Sequence, residues 1–318
     1  MIDAPGQSAL AVSPARLIEP AQIAPLFEHC FNQPFDESLW RWKYLGERNP
    51  SVVLMRGEQV VGHYGGMPRT VFFCGARVAG IQIGDVMVHA SVRSLGRRNA
   101  FREMVATFLD AEVGFDRPSL IAFGFPNLRH LRLGEALGLY AGVDRVTELH
   151  WPALSSGPEL RAVEGQDPGL WLRIDACWRA MQASSGQFLV GERSAERWHR
   201  RFASHPSRPY ESWWFGSEDA EALVVTRRHE QALEWLDFVG PLDQLAKARD
   251  ALRTLAGACA LPEVFAWLST SVARRLRSDD ARELDIQVGV PTCAHTPGPR
   301  AETLRGHWWL MGGDTDFR

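Results

Sequence analysis

The stretch Ile81 to Tyr140 constrains the fold of this chain more than any other. An apolar run, Gly84 to Ser91, ends in a short loop, Arg93-Ser94-Leu95-Gly96-Arg97-Arg98, dense in backbone donors and positive charge. A helical pattern follows directly, with Phe101, Met104, Val105, Phe108 and Leu109 at three- and four-residue spacing. A second apolar run, Leu120 to Phe125, ends at Pro126-Asn127, and a second amphipathic segment stops at Gly138. A strand, a basic loop and a helix N-terminus in that order receive a phosphorylated ligand. The first-turn amides of the helix are free and its dipole favours negative charge there.

In this order and in its motifs the stretch resembles the acyl-CoA-binding core of the GNAT N-acetyltransferases. In that family a strand leads into an R/Q-x-x-G-x-G/A loop whose amides hold the CoA pyrophosphate, and a parallel strand then splays away to admit the acyl-CoA. Arg93-x-x-Gly96 fits the first half of that loop, and Arg98 stands where the family has Gly or Ala. Downstream, Asn127, Gly138 and Leu139 fit the family's second signature. His130 replaces its Ala, and Gly134 stands where a general-acid Tyr is common. The resemblance implies cofactor contacts at Val88, Arg93, Gly96, Arg97, Arg98, Asn99 and Asn127. It also implies acetyl-CoA, or another acyl-CoA, as co-substrate, and an amine acceptor.

The family often places on this strand a carboxylate that takes the amine proton. Asp85 fits that role, and alternation puts Asp85, Met87 and His89 on one face. Burial would raise the carboxyl's pKa, which suits a base, while a strand-end cap is the competing role. His89 is a second base candidate. Tyr140, six residues past Gly134, is the nearest phenol for protonating the leaving thiolate, against a core tyrosine with a satisfied hydroxyl. Asn127 serves equally as a helix N-cap.

The chain of 318 residues exceeds one ordinary core, so two domains are expected. Residues 1–14 read as loosely docked, Arg16–Cys30 and Phe35–Leu45 as helices, and the segments around Arg56–Gln59 and Cys74-Gly75 as hairpins. Leu154–Asp167 is rich in Ser, Gly, Pro and charge and reads as a linker. Beyond it Ser194, Trp198 and Pro206 repeat the spacing of Ser38, Trp42 and Pro50, and a similar succession of strands and helices follows. The expected fold class is α/β with a mixed sheet, as two tandem GNAT-like folds: residues 1–153, a linker at 154–167, and a second copy at 168–318. That copy carries Pro241-Leu-Asp-Gln-Leu in place of a basic loop, and Asp243 would repel a pyrophosphate. Trp213-Trp214 and Trp308-Trp309 would alternate faces on strands, leaving one of each pair partly exposed or at the domain interface.

A net charge of −3 gives no pull toward nucleic acid or anionic membrane. Five scattered cysteines without a C-x-x-C pair argue for a reducing cytoplasm and against a zinc site, and no metal is expected. No apolar run is long enough to span a bilayer. The function expected is acyl transfer from acyl-CoA to an amine. The rivals are a non-catalytic acyl-CoA-binding or scaffolding protein and an aminoacyl-tRNA-dependent transferase. Homodimerisation is left open.

Overall fold

The computed structural model describes residues 10–15, 18–44, 48–93, 99–165, 167–186, 188–217 and 220–318. The first sheet is built from consecutive strands because its turns are tight. β2 (Ser51–Arg56) and β3 (Gln59–Phe73) join through Gly57-Glu58, with Gly57 at φ 59°. β3 and β4 (Ala76–Val88) join through Cys74-Gly75, at φ 49° and 77°. Positive φ at both positions of the second turn, and at the first position of the first, matches the twist of the flanking strands. β3 is one continuous strand of 15 residues that serves both expected hairpins. Pro68 interrupts no ladder because it pairs only with Ile81: β2 ends its pairing at Gly65, and β8 (Leu189–Gly191) begins at Val71. Leu10–Ala15, expected to be loosely docked, forms an edge strand, β1, antiparallel to β2.

α1 (Pro20–Phe31) and α2 (Glu37–Tyr44) cover one face of this sheet, burying Ile23, Leu26, Trp40 and Tyr44 against Val53, Met67 and Met87. α3 (Ala100–Glu112) covers the other, with Met104, Val105, Phe108 and Leu109 fully buried. β5 (Ile121–Gly124) runs parallel to β4, and α4 (Leu128–Ala136) follows it.

The next strand, β6 (Tyr140–Pro152), does not return to the first sheet. It is inserted, antiparallel on both sides, between β12 (Glu263–Ser269) and β13 (Arg282–Cys293) of a second sheet. In that sheet β9 (Glu211–Phe215), β10 (Ala222–His229) and β11 (Ala232–Val239) form an antiparallel meander, and β11 then pairs in parallel with β12. β7 (Arg161–Ala162), inside the expected linker, is its edge strand beside β9. The helices are α5 (Leu170–Ser185), α6 (Ala195–Trp198), α7 (Leu245–Ala258), α8 (Thr270–Leu276) and α9 (Ala301–Leu304). Both sheets therefore run antiparallel meander, helix, parallel strand. The architecture is α/β with two mixed sheets, of seven strands each among the described residues.

β14 (Trp308–Trp309) pairs with β8 deep in the molecule, and its tryptophans alternate as expected: Trp308 packs on Phe123 between the two sheets and Trp309 on Phe188 in the second core, so both are fully buried. Trp213-Trp214 alternates too, with Trp214 buried and Trp213 partly so. The tail after β14 is pinned to both sheets. Arg193 donates to Asp314 and Asp237, Arg201 to the carbonyls of Gly313, Thr315 and Arg318, and Lys43 pairs with Asp316.

Candidate active site

The β4–β5 ladder holds from Gly80/Ile121 to Ile83/Gly124 and then opens. β4 continues to Val88, while the chain after Gly124 turns to the second sheet: Gly289 donates its N–H to the Pro126 carbonyl at 2.9 Å, and Asn127 bridges to Val288. The result is a fork. Gly84 to Val88 form one wall and Phe125 to Asn127 the other, with α3 and α4 beginning at its open end.

Both helices start with an asparagine cap. Asn99 Oδ1 accepts from the Arg102 N–H at 3.2 Å, and Asn127 Oδ1 from the His130 N–H at 2.9 Å. The cap role foreseen for Asn127 is thus filled by its side chain, and replacing it with alanine is expected to cost about 1 kcal/mol of stability, read from urea unfolding. Arg93 is exposed and its Nε donates to the Val88 carbonyl at 2.9 Å. Positive charge gathers at this end: His130 titrates below its usual range through burial and then the neighbouring Arg129 and Arg93. Ser94 to Arg98, and with them the expected contacts Gly96, Arg97 and Arg98, lie outside the described residues.

Within the fork, β4 carries a bulge. His63 pairs with Met87 and Gly65 with Gly84, so Asp85 and Val86 together face Tyr64. Asp85 takes a left-handed conformation, φ 46°, which aspartate tolerates better than a branched residue. Its side chain turns to the α1/α2 side and is 7% exposed. There it accepts from Lys43 Nζ at 3.1 Å and from Tyr44 Oη at 2.8 Å. Lys43 also reaches Asp316 at 2.8 Å. Two carboxylates therefore share one ammonium. Burial alone would lower the lysine's pKa and raise that of Asp316. The mutual attraction prevails on both, holding Lys43 above and Asp316 below their ordinary ranges. The Asp85 carbonyl is bonded to His63 Nδ1 at 2.7 Å, and burial keeps that histidine's pKa low.

His89 ends the strand as a cap. Its Nδ1 accepts from the Ser91 N–H at 3.2 Å, and its ring stacks on His29 with centroids 3.9 Å apart. Its pKa is lowered, by burial and then by His29, Arg56 and Arg93. Tyr140 projects into the core between the first sheet and α3, its hydroxyl 2.8 Å from that of Tyr64. Burial raises the pKa of both phenols. The ring of Tyr140 also explains Gly134: a Cβ there would lie 2.0 Å from Tyr140 Cδ2. The space that a side chain at 134 would enter is already filled by an aromatic ring.

Lys43, Tyr44 and Asp316 were not singled out from the sequence. One signal was present: Trp40, Lys43 and Tyr44 share a helical stripe that is otherwise apolar. Asp316 carried none, because its partners lie almost the whole chain away.

The second sheet repeats the fork. Its β11–β12 ladder covers only Leu233/Val264 and Glu234/Phe265, and β11 then continues to Val239. Here the chain itself fills the opening. Gly312 and Gly313 lie against Leu236, Asp237 and Trp267, and Met311 bridges to Leu268. A Cβ on Gly313 would meet the Leu236 carbonyl at 2.8 Å. Among the described residues no group of three or more His, Cys, Asp or Glu is arranged to hold a metal ion. Among them, too, no helix is long and apolar enough to cross a membrane.

Comparison with known proteins agrees with this geometry. The sequence model of an acetyltransferase (GNAT) domain matches residues 12–127. No curated protein matches in sequence. Among solved structures, a probable N-acyltransferase of unknown function from Enterococcus faecalis superposes with TM-score 0.67 at 14% identity, over 93% of this chain and 74% of its own. A GCN5-related N-acetyltransferase from Anabaena variabilis gives 0.63 at 16%, over 90% and 73%. Saccharomyces cerevisiae N-myristoyltransferase with bound myristoyl-CoA gives 0.54 at 11%, over 96% and 85%. Residues 12–127, which hold the fork's first wall and the helix that follows it, match the model of a GNAT acetyltransferase domain, and the chain as a whole shares the fold of the GNAT structures on which it superposes.

Proposed function

We propose that the chain is an acyl-CoA-dependent N-acyltransferase, and that it moves an acetyl group from acetyl-CoA to an amine. The observation that carries this reading is the fork, open between β4 and β5 and facing an Asn99-capped helix beside Arg93. The α3 amides and the arginines of the preceding loop would hold the pyrophosphate. The pantetheine arm would lie along Val88 to Gly84, with Asn127 on the opposite wall. The amine attacks the thioester carbonyl, the C–N bond forms, the amine gives up one proton to a base, the C–S bond breaks, and CoA leaves as a thiolate that takes a proton from solvent. Holding the two reactants in place supplies most of the rate. Asp85, at the bulge, is the proposed acceptor of the amine's proton. His89 and Tyr140 remain weaker proposals, because one caps and stacks and the other is turned to Tyr64.

In this reading residues 1–153 are the binding unit, with a linker at 154–167. Residues 168–318 are a second copy that has lost ligand binding. Its fork filled by Gly312 and Gly313 supports that assignment.

A second reading, an acyl-CoA binder without catalysis, is favoured by two observations. Asp85 is already engaged by Lys43 and Tyr44, and no acid stands at Gly134. Calorimetric titration of acetyl-CoA into the full chain tests what the two readings share. Stoichiometric binding is expected. Arg93→Ala should weaken it by about 10- to 150-fold, the loss of one charge-assisted contact worth ~1.5–3 kcal/mol, without altering the melting temperature. No binding by the unaltered chain overturns both readings. Thiol release across a panel of amines then separates enzyme from binder.

A further inference from the structure

The fork has a far side, and the chain's own tail covers it. Gly84, the first β4 residue past the ladder, stands so close to Asp316 that a Cβ on it would be 3.2 Å from the carboxylate. Gln82, two residues back in the ladder, donates to the other oxygen of Asp316 at 3.4 Å. Phe125, the first residue past the ladder on the β5 side, meets the ring of Phe317 edge-on at 6.5 Å. Phe317 in turn meets Trp267 of β12 at 5.9 Å, and the Arg318 guanidinium lies 4.3 Å over that indole. Two adjacent tail residues therefore bridge the diverging strands at the apex. Phe317 is held by its neighbours rather than by burial. Asp316 is anchored to Lys43, the Phe317 carbonyl accepts from Arg208 at 2.6 Å, and Arg318 Nε donates to Glu234 at 2.6 Å. The ring itself remains 42% exposed.

We propose that Phe317, seated between Phe125 and Trp267, is the wall that ends the acyl site and restricts the thioester to short acyl groups. This rests on the reading of the fork as the acyl-CoA site. With the pyrophosphate at the α3 N-terminus, the ligand enters beside Val88 and runs back along β4. Four residues separate Val88 from Gly84, about 13 Å at strand rise. The acyl end therefore points at the apex, where Asp316 and Phe317 stand. A packed aromatic wall discriminates by shape, because an added methylene with no space must displace a ring or leave the thioester out of place. Phe317 is separated from Phe125 by the length of the second half. The acyl site is thus finished by the far end of the chain.

The test uses the full chain and reads dissociation constants for acetyl-CoA, butyryl-CoA, hexanoyl-CoA and free CoA by calorimetry. Acetyl-CoA is expected to bind at least ~10-fold tighter than hexanoyl-CoA, the lower end of what one misfitting group costs in a packed site. Phe317→Ala should narrow that ratio several-fold, chiefly by tightening hexanoyl-CoA, and leave free CoA unchanged. Phe317→Trp should widen it. Because the ring is partly exposed, neither change should unfold the protein, and melting temperatures confirm this. Phe125→Ala, from the opposite wall, should narrow the ratio in the same way. Equal affinity for acetyl- and hexanoyl-CoA in the unaltered chain, or a ratio indifferent to Phe317→Ala and Phe125→Ala, overturns the wall while leaving the fork as the acyl-CoA site. Failure of every CoA ester and of free CoA to bind overturns the fork assignment, and the wall with it.

Discussion

Replacing Lys43 with methionine is expected to cost ~3–5 kcal/mol of folding stability, the usual penalty for stripping the counterion from buried charge. The shape of the side chain is nearly kept, so lost packing contributes little. What remains is two carboxylates, Asp85 and Asp316, 7% and 6% exposed and sharing no ammonium. Tyr44 still donates to Asp85 and Gln82 to Asp316, but neither supplies charge. The cost should depend on pH, and its direction is fixed. In the unaltered protein Lys43 outweighs burial and holds the Asp316 carboxyl below its normal value. The stability this contributes is present above the unfolded-state pKa near ~3.9 and is lost as pH falls through the lowered folded value. In the methionine variant burial outweighs what Arg69 still supplies and raises the Asp316 carboxyl instead. Its contribution is then present below ~4 and lost as pH rises through the raised value. The difference between the two proteins should therefore be small near pH ~4 and grow toward pH ~7, by up to ~1.4 kcal/mol for each tenfold change in a carboxyl's proton affinity. Urea unfolding at several pH values measures it. A difference that is flat across that range would mean that Lys43 acts by packing alone.

The second large effect concerns Gly134. In a helix interior alanine is ordinarily better than glycine by ~0.8–1 kcal/mol, so Gly134→Ala would stabilise a helix with open space beside it. Here the new methyl would sit 2.0 Å from the Tyr140 ring, and a ring displaced by that clash strains its hydroxyl contact with Tyr64. A net loss of ~1–3 kcal/mol is expected from the displaced ring and the broken phenol pair. The sign should reverse in a Tyr140→Ala background, where the methyl meets a void and the helix preference is recovered. Four proteins form a double-mutant cycle whose coupling energy should exceed ~1.5 kcal/mol. Stabilisation by Gly134→Ala with Tyr140 intact would show that the ring does not fill that space. The same geometry accounts for the missing acid at this position: a tyrosine at 134 and a tyrosine at 140 claim the same volume.

Much of the first sheet was legible because its information is local. The Gly57 and Cys74-Gly75 turns set two hairpins, Asn99 and Asn127 mark two helix starts, and the apolar spacing of Met104, Val105, Phe108 and Leu109 gives the buried face of α3. The fork was legible as a motif, since a basic loop between an apolar run and an amphipathic helix has few other uses. What sequence could not show is where β6 goes. Its alternation fits either sheet, and its neighbours β12 and β13 lie more than a hundred residues on. Trp308 and Trp309 alternate as period two requires and enter different cores, but a two-residue strand closed in on both faces leaves neither ring outside. The charge network was hidden because its members are ordinary one by one. A lysine in Trp-Arg-Trp-Lys-Tyr and an aspartate in Gly-Gly-Asp-Thr-Asp become a unit only when the tail crosses the fork.

The insertion of β6 between β12 and β13 has a consequence in time. A ribosome adds roughly 5–20 residues per second. Tyr140 to Pro152 leaves the exit tunnel long before either flanking strand exists. About 140 further residues must be made before β13 is complete, a wait on the order of 7–28 s at that pace. Until then β6 offers two unpaired edges, a template for any extended chain nearby. The fork waits longer still, for Asp316 and Phe317. Contacts this distant in sequence also make folding slow in principle, because the loop must be closed before the contact rewards it. The nascent first half thus has β6 in hand while both of that strand's partners, the strands β8 and β14 of the first sheet and the tail that crosses the fork are still unwritten. Its dependence on chaperones should be greatest during translation rather than after release.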